Sequence, residues 1–331
     1  MKHEPEYRVY WHLNDKCNFR CGYCFYVPEK LAKENPACGK FPPARIKESF
    51  DSTGKTWHVH MSGGEPFLYP DFTAMCAELS KTHFISMNTN LSTSNIKDFA
   101  DRIDPAKVLF INAGYHVEAR LKLSADGARK FFETVLYLQE KKFNINVSYI
   151  AYPSVLGRMA SDLGSLRANG VKKAGAVVFR GYDGGKRYPE AYSEEEKKLI
   201  AENACSDEER EVVKEDFNYM GRCCYAGVKY FKIDPAGNIT RCSTSLKRYG
   251  NLFNGKYKFD AEPAPCPVKN CNCPYEGIEY ASKRKGSFIA LAGEIGKEVF
   301  YTVCGREITP QKLIRYAKER MGLKYRRDHA R

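Results

Sequence analysis

The sequence predicts an α/β protein, a partial, open (β/α)6 barrel with a small C-terminal domain built on a β-hairpin. Three observations predict it. From residue 7 to about 180, short apolar, β-branched runs alternate with helical patterns, the rhythm of βα units around a parallel sheet. At 181–192 (GYDGGKRYPEAY) three Gly, one Asp and one Pro break that rhythm, as a linker or active-site loop would. After Cys223, two short strand patterns flank an Asp-Pro-Ala-Gly turn and stand between cysteines.

The elements follow in order. The strand candidates are Arg8–Leu13, Trp57–Ser62, Phe84–Asn90, Val108–Ala113, Asn146–Ala151 and Ala176–Arg180. Helical patterns fit Phe72–Lys81, Asn95–Arg102, Asp126–Lys142 and Gly157–Ala168; in the third, Ala128, Phe131, Phe132, Val135 and Leu138 recur at spacings that put them on one face. A closed eight-stranded barrel needs two more units, which 181–222 do not supply, so the barrel is partial and a cofactor belongs at the C-terminal ends of its strands. Ser193 with Glu196 is a capping box that opens a charged helix. Gly227–Asp234 and Asn238–Cys242 form the hairpin, and Thr309 with Pro310 starts a basic helix through about Met321. The expected division is 1–180, the barrel; 181–222, loop and helix; 223–275, the hairpin domain; and 276–331, a basic helical segment.

Composition narrows the function. The chain of 331 residues is 43% apolar and 28% charged, which excludes collagen-like, coiled-coil and wholly disordered classes. Residues 1–16 hold no apolar signal region, and no run approaches the roughly 18 apolar residues of a spanning helix, so neither secretion nor membrane insertion is expected. The net charge of +13 favours an anionic partner. Eight basic residues against two acidic ones over 312–331 place +6 of it in the tail, where it suits docking of an acidic electron donor such as a flavodoxin or ferredoxin.

Thirteen cysteines are too few for a disulfide scaffold and too many to ignore. Cys17, Cys21 and Cys24 form C-x3-C-x2-C just after the first strand; at this cysteine frequency chance produces such a match about 0.02 times, so composition does not explain it. Structural zinc sites use two ligand pairs and four protein ligands, whereas this loop offers three. Three thiolates suit an iron–sulfur cluster with one iron open to an outside ligand. Gly63-Gly64-Glu65-Pro66 ends the second strand, where glycines allow close backbone approach to a ligand and an acidic side chain accepts from an ammonium.

With these motifs the chain resembles a radical S-adenosylmethionine (radical SAM) enzyme, whose signature has an aromatic before the last cysteine, here Tyr23. The resemblance implies a [4Fe–4S] cluster on Cys17, Cys21 and Cys24, whose open iron is chelated by the amino and carboxylate groups of S-adenosylmethionine. It further implies reductive cleavage to a 5′-deoxyadenosyl radical that abstracts a substrate hydrogen. Gly63, Gly64, Glu65 and Pro66 would then hold the methionyl amino group. Asn90 and Tyr115–His116 lie where ribose and adenine contacts fall, and Arg158 is a candidate carboxylate contact.

Cys224-x12-Gly237-x4-Cys242 followed by Cys266-x4-Cys271-x-Cys273 resembles the auxiliary-cluster domains called SPASM and Twitch. The second half lacks the full SPASM run, so one auxiliary [4Fe–4S] cluster, the shorter Twitch arrangement, is implied. Five cysteines compete for four positions, and a structural zinc site is the competing reading. Of the rest, Cys38, Cys76, Cys205 and Cys304 suit packing. Cys223, beside a ligand candidate, is a candidate hydrogen-atom donor to a substrate radical.

The cysteine loop begins at residue 17, so no leader-binding domain is expected, and Arg180–Tyr192 is rich in Tyr, Gly, Lys and Arg. The leading expectation is hydrogen abstraction from a small anionic molecule, a sugar or nucleotide-linked sugar, ending in epimerisation, dehydrogenation or rearrangement. Radical epimerisation or crosslinking of a ribosomal peptide is the enzymatic alternative. A zinc-stabilised nucleic-acid-binding protein is the distant one, disfavoured because the chain has no run of stacking aromatics and such a protein needs no Gly63–Pro66. Cysteines divided between cluster ligands and packing suit a reducing cytoplasm.

Overall fold

The computed structural model describes residues 5–24, 31, 33, 35–214, 218–268, 271 and 281–304. They fall into two compact units, Met1–Glu215 with Ile233–Gly237 and Asn251–Gly255, and Asp216–Lys232 with Asn238–Gly250 and Lys256–Arg331.

In the first unit six strands, β1 (Tyr7–His12), β2 (Trp57–Ser62), β3 (Phe84–Thr89), β4 (Val108–Gly114), β5 (Ile145–Ile150) and β6 (Ala174–Val177), pair in chain order. Every pairing is parallel, so all six strands end on one edge. Between them run α1 (Pro43–Asp51), α2 (Phe72–Leu79), α3 (Ile96–Arg102), α4 (Val117–Leu123), α5 (Gly127–Glu140) and α6 (Leu156–Ala168). The α/β partial-barrel architecture read from the sequence therefore holds.

Side-chain alternation explains which residues fill the core. Along β5 buried and half-buried positions alternate strictly, with Ile145, Val147 and Tyr149 inward to the helices and Asn146, Ser148 and Ile150 on the other face. Helix α5 buries Gly127, Phe131, Val135 and Leu138, one stripe of a 3.6-residue period. An aromatic cluster joins α2 and α3 to the turn after β2, with ring centroids 4.8 Å apart for Phe67–Phe72 and 5.5 Å for Phe67–Phe99.

Two expectations are corrected. Strand β6 spans Ala174–Val177 rather than Ala176–Arg180, because the next two amides leave the ladder: Val178 N donates to Glu209 at 2.6 Å and Phe179 N to the Tyr192 hydroxyl at 3.2 Å. Residues 181–192 are no simple linker either. They open with a two-stranded hairpin, β7 (Gly181–Asp183) and β8 (Lys186–Tyr188), whose Gly184 and Gly185 have φ of +53° and +76°, the left-handed pair a tight two-residue turn requires. The capping box is present as expected: Glu196 N donates to Ser193 Oγ at 3.2 Å and Ser193 N to Glu196 at 2.8 Å, opening α7 (Glu194–Asn203), which α8 (Asp207–Val212) follows.

The remaining elements, in the second unit except for Ile233 and Asn251, are β9 (Arg222–Cys224), β10 (Tyr230–Ile233), β11 (Asn238–Thr240), β12 (Arg248–Asn251), β13 (Lys256–Tyr257), β14 (Ala264–Pro265), β15 (Ala281–Lys285) and α9 (Phe288–Cys304). Strands β10 to β13 pair successively, and β9 lies antiparallel between β14 and β15. The expected hairpin is β10–β11, closed where Gly237 N donates to Asp234 O at 2.9 Å. Cys273 and the Thr309–Met321 helix lie outside the described residues. No described helix is long and apolar enough to cross a membrane.

Candidate active site

The cysteine loop leaves the C-terminal end of β1, and the Gly63–Pro66 segment leaves the end of β2 beside it. Leu13 N donates to Ser62 O at 2.8 Å, and the ladder continues past the strands: Gly64 N donates to Asn14 O at 2.9 Å and Glu65 N to Lys16 O at 2.8 Å. A Cβ on Gly63, whose φ is +140°, would lie 2.4 Å from Asn14 O, and one on Gly64 would lie 2.1 Å from Lys16 O. Both glycines are thus required for close approach to the chain's own backbone, immediately before Cys17. The expectation had them approaching a ligand; their closest demand is the seating of the loop itself.

Glu65 is buried and committed internally. Its Oε1 accepts from Thr89 Oγ1 at 2.7 Å and Phe67 N at 3.1 Å, and its Oε2 from Asn90 N at 2.7 Å. Burial pushes its carboxyl above the usual range, against the pull of these donors. Pro66 opens the short turn Pro66–Leu68 that this carboxylate caps.

Cys17, Cys21 and Cys24 are all half-buried on one loop. Cys24 N closes a turn onto Cys21 O at 3.1 Å. Phe19 N donates to Cys17 Sγ at 3.4 Å, and Asn90 Nδ2 lies 3.9 Å from the same sulfur. Asn90 also donates to Asn18 Oδ1 at 2.9 Å, so the end of β3 is pinned to the loop. Burial raises the Cys17 thiol and pushes Cys21 up to about 12, with the neighbouring cysteines adding to both shifts. These thiols stay protonated at neutral pH until a metal displaces their protons.

Tyr23 and His116 meet directly. Their contact is Tyr23 Oη to His116 Nδ1 at 2.6 Å, and the rings lie 5.8 Å apart. Burial, with Arg120 close by, pushes His116 down to about 4, so the imidazole is neutral. The pair borders a shallow open cleft that Arg20, Cys21, Lys122 and Ile150 also line. Arg158, the carboxylate candidate, is instead tied to Asp162 at 2.7 Å.

Sequence reasoning missed Arg120. Only 3% exposed, it donates to Tyr115 O at 2.9 Å, Gly114 O at 3.2 Å and Asn90 O at 2.5 Å, and its guanidinium lies 5.2 Å from the Phe19 ring centroid. One cation therefore ties the ends of β3 and β4 to the cysteine loop. In the run VEARLKL it reads as a surface charge, and no signal in the sequence marks it as buried.

The second unit gathers four of its cysteines. Cys224 is buried, while Cys242, Cys266 and Cys271 are half-buried. Burial pushes Cys224 up to about 11, with Cys242 and Cys271 adding to it, and pushes Cys266 up to about 12, with Cys242 and Cys224 adding. Backbone amides point at two of the sulfurs, Ala226 N to Cys224 Sγ at 3.5 Å and Ser245 N to Cys242 Sγ at 3.3 Å. Among the described residues, no three His, Cys, Asp or Glu side chains converge to hold a single ion. Cys223 neighbours Cys224 in β9 and so projects from the opposite face of the strand.

Helix α9, unanticipated, grips the Cys242 loop. Arg241, 2% exposed, donates to Glu294 at 3.0 Å, Ala226 O at 3.1 Å and Ala264 O at 2.9 Å. Four residues on, Glu298 accepts from Ser245 Oγ and, at 2.9 Å, from Leu246 N. Two acidic residues at helical spacing in the largely apolar FIALAGEIGKEVFYTVC were the available signal.

Residues 11–154 match the family model described as the radical SAM superfamily. The GTP 3′,8-cyclase of Synechococcus elongatus is 26% identical over 146 residues, 44% of this chain and 44% of that protein. The chain spans about half the length of the curated relatives it matches. Among solved structures, Streptococcus suis SuiB bound to S-adenosylmethionine superposes with a TM-score of 0.53 at 14% identity, over 75% of this chain and 63% of that one. Native anSMEcpe with bound AdoMet gives 0.53 at 12% identity, over 94% of this chain and 99% of that one. These likenesses establish the fold. The superfamily's cofactors are S-adenosylmethionine and a [4Fe–4S] cluster. The donor set fits such a cluster: three thiols on one loop, a backbone amide aimed at one sulfur, and an open cleft beside them.

Proposed function

We infer that this radical SAM enzyme abstracts a hydrogen atom from a small anionic substrate, a sugar or nucleotide-linked sugar, and that the reaction ends in epimerisation, dehydrogenation or rearrangement. The observation that carries the reading is the seating of the Cys17–Cys24 loop on Gly63–Glu65 at the C-terminal edge of the sheet, beside the Tyr23–His116 cleft. When bound, the cluster and S-adenosylmethionine supply one-electron cleavage and a hydrogen-abstracting carbon radical. The chain's own part is positioning. Cys17, Cys21 and Cys24 would hold the cluster, and Asn90 and Arg120 fix the loop from beneath. Glu65, with its side chain occupied, leaves the backbone of Gly63–Pro66 to meet the cofactor's amino group. Neutral His116 keeps the Tyr23 phenol in place at the mouth of the cleft.

Cys224, Cys242, Cys266 and Cys271, with Cys273 as the fifth contender, are proposed to hold one auxiliary [4Fe–4S] cluster in a 223–275 domain. Cys223 is proposed as the hydrogen-atom donor. The basic tail is proposed to dock an acidic flavodoxin or ferredoxin: truncation after Gly305 then impairs protein-driven turnover and spares dithionite-driven turnover. The test of the whole reading is anaerobic turnover with dithionite and S-adenosylmethionine over a panel of nucleotide sugars and peptides. Product formed from a nucleotide sugar, together with 5′-deoxyadenosine, supports it, and product formed only from peptides contradicts it.

A further inference from the structure

One row of side chains crosses the face of the sheet opposite its helices and has no part in the machinery described so far. Asn88 pairs in register with Asn112, and Asn112 with Asn146, on β3, β4 and β5. Their amides are chained: Asn146 Nδ2 donates to Asn112 Oδ1 at 3.4 Å, Asn112 Nδ2 to Asn88 Oδ1 at 3.0 Å, and Asn88 Nδ2 to Ser62 Oγ at 3.3 Å. At the β1 end, His12 stands in register with Ser62 and is tied to Asp15 at 2.8 Å.

The row is bounded at both ends of the strands. Toward the N-terminal ends of the strands, the buried His58 and His60 share the buried Ser86 hydroxyl at 2.6 and 2.7 Å, and the half-buried Phe110 packs on both imidazoles at 5.6 Å, which plugs that end. Toward the C-terminal ends, two residues beyond Asn88 and Asn112, lie Asn90 against the cysteine loop and Gly114 against His116. The half-exposed row therefore lies between this plug and the residues that meet the cysteine loop.

Its chemistry is specific. Asn88, Asn112 and Asn146 are half-buried and carry no charge. Each amide has two N–H donors and uses one within the row, so each keeps an N–H for an outside partner. Half-buried polar groups are costly unless hydrogen-bonded. A hydroxyl both donates and accepts and matches an amide at either end, whereas an anionic group only accepts and meets no cation in this row.

The geometry points to the Ser62–Asn88–Asn112–Asn146 row as a binding site for the hydroxyl-bearing face of a neutral sugar or cyclitol ring. The inference rests on the hydrogen-abstraction reading and sharpens it: the ring lies on the amide row, and any anionic group of the substrate is held elsewhere.

Binding is measured by calorimetry on the anaerobically reconstituted protein with UDP-glucose, UDP-N-acetylglucosamine, myo-inositol and, as the sugar-free control, UDP. The expected result is that at least one ring-bearing probe binds, a nucleotide sugar more tightly than UDP by roughly tenfold, the worth of two net hydrogen bonds. Asn112→Leu and Asn88→Leu, each of similar size, lose that increment while keeping the wild-type circular dichroism; Ser62→Ala decides should a Leu variant fail to fold. Equal binding of UDP and the nucleotide sugars without binding of myo-inositol overturns the inference, as does no binding at all. So does an increment that survives the substitutions. 5′-Deoxyadenosine formation is followed separately: its absence beside an intact, Asn112-dependent increment upholds the row and overturns the radical reading.

Discussion

Gly64→Ala places the smallest possible side chain at the tightest point of the structure. The added Cβ would lie 2.1 Å from Lys16 O and 2.5 Å from Lys16 C, both backbone atoms that no side-chain rotation can move. Restoring ordinary contact requires a displacement of about 1 Å or more between the Gly63–Pro66 segment and the chain one residue before Cys17. That movement breaks the Glu65 N to Lys16 O bond of 2.8 Å and strains the Gly64 N to Asn14 O bond of 2.9 Å. Two backbone hydrogen bonds are worth about 1–3 kcal/mol net, so the thermal midpoint falls by several degrees. The larger effect is on the site, since misplacement of about 1 Å costs on the order of a hundredfold in a positioned reaction. Anaerobic reconstitution, iron analysis and 5′-deoxyadenosine formation are the assays. A variant with wild-type iron content and wild-type deoxyadenosine formation refutes the argument that these glycines exist to seat the loop.

The other predictions concern single side chains. Arg120→Met leaves three buried carbonyls without their donor and destabilises the protein by about 3 kcal/mol or more, read as a lowered denaturation midpoint; Arg120→Lys restores only part of the loss. Glu298→Leu removes the acceptor for Ser245 and Leu246, so iron should fall from about eight to about four per chain while the Cys17–Cys24 site stays loaded. Four irons and one zinc in the unaltered protein would contradict the auxiliary cluster directly. Cys223→Ala should continue to form 5′-deoxyadenosine but lose net product; unchanged product dismisses the hydrogen-donor role.

Much of the fold was legible because its signals are local. The β2 strand, WHVHMS, matches its expected bounds, and four of the other five barrel strands lie within one residue of theirs at each end, since β-branched and apolar runs between helical stripes leave few alternatives. The 181–188 hairpin was hidden because its glycines signal a turn without saying that flanking residues pair. Helix α1 was missed for another reason: among its charged residues only Ile46, Ser49 and Phe50 are buried, too thin a stripe to register. At the site, cysteine spacing and Gly63–Pro66 were readable as motifs, but the partners that make them work were not. Arg120 and Arg241 are arginines in polar company whose burial depends on carbonyls far away in sequence, and no local pattern encodes that. The amide row is likewise invisible before strand register is known, because Ser62, Asn88, Asn112 and Asn146 stand on four separate strands.

The central claim is that the Cys17–Cys24 loop carries radical SAM chemistry, and its most direct test is 5′-deoxyadenosine and methionine formation from S-adenosylmethionine by anaerobically reconstituted protein with dithionite. Equimolar products from the wild type, absent in Cys21→Ala, are the predicted result. No deoxyadenosine from protein whose iron–sulfur absorption is present and bleaches with dithionite would contradict the account.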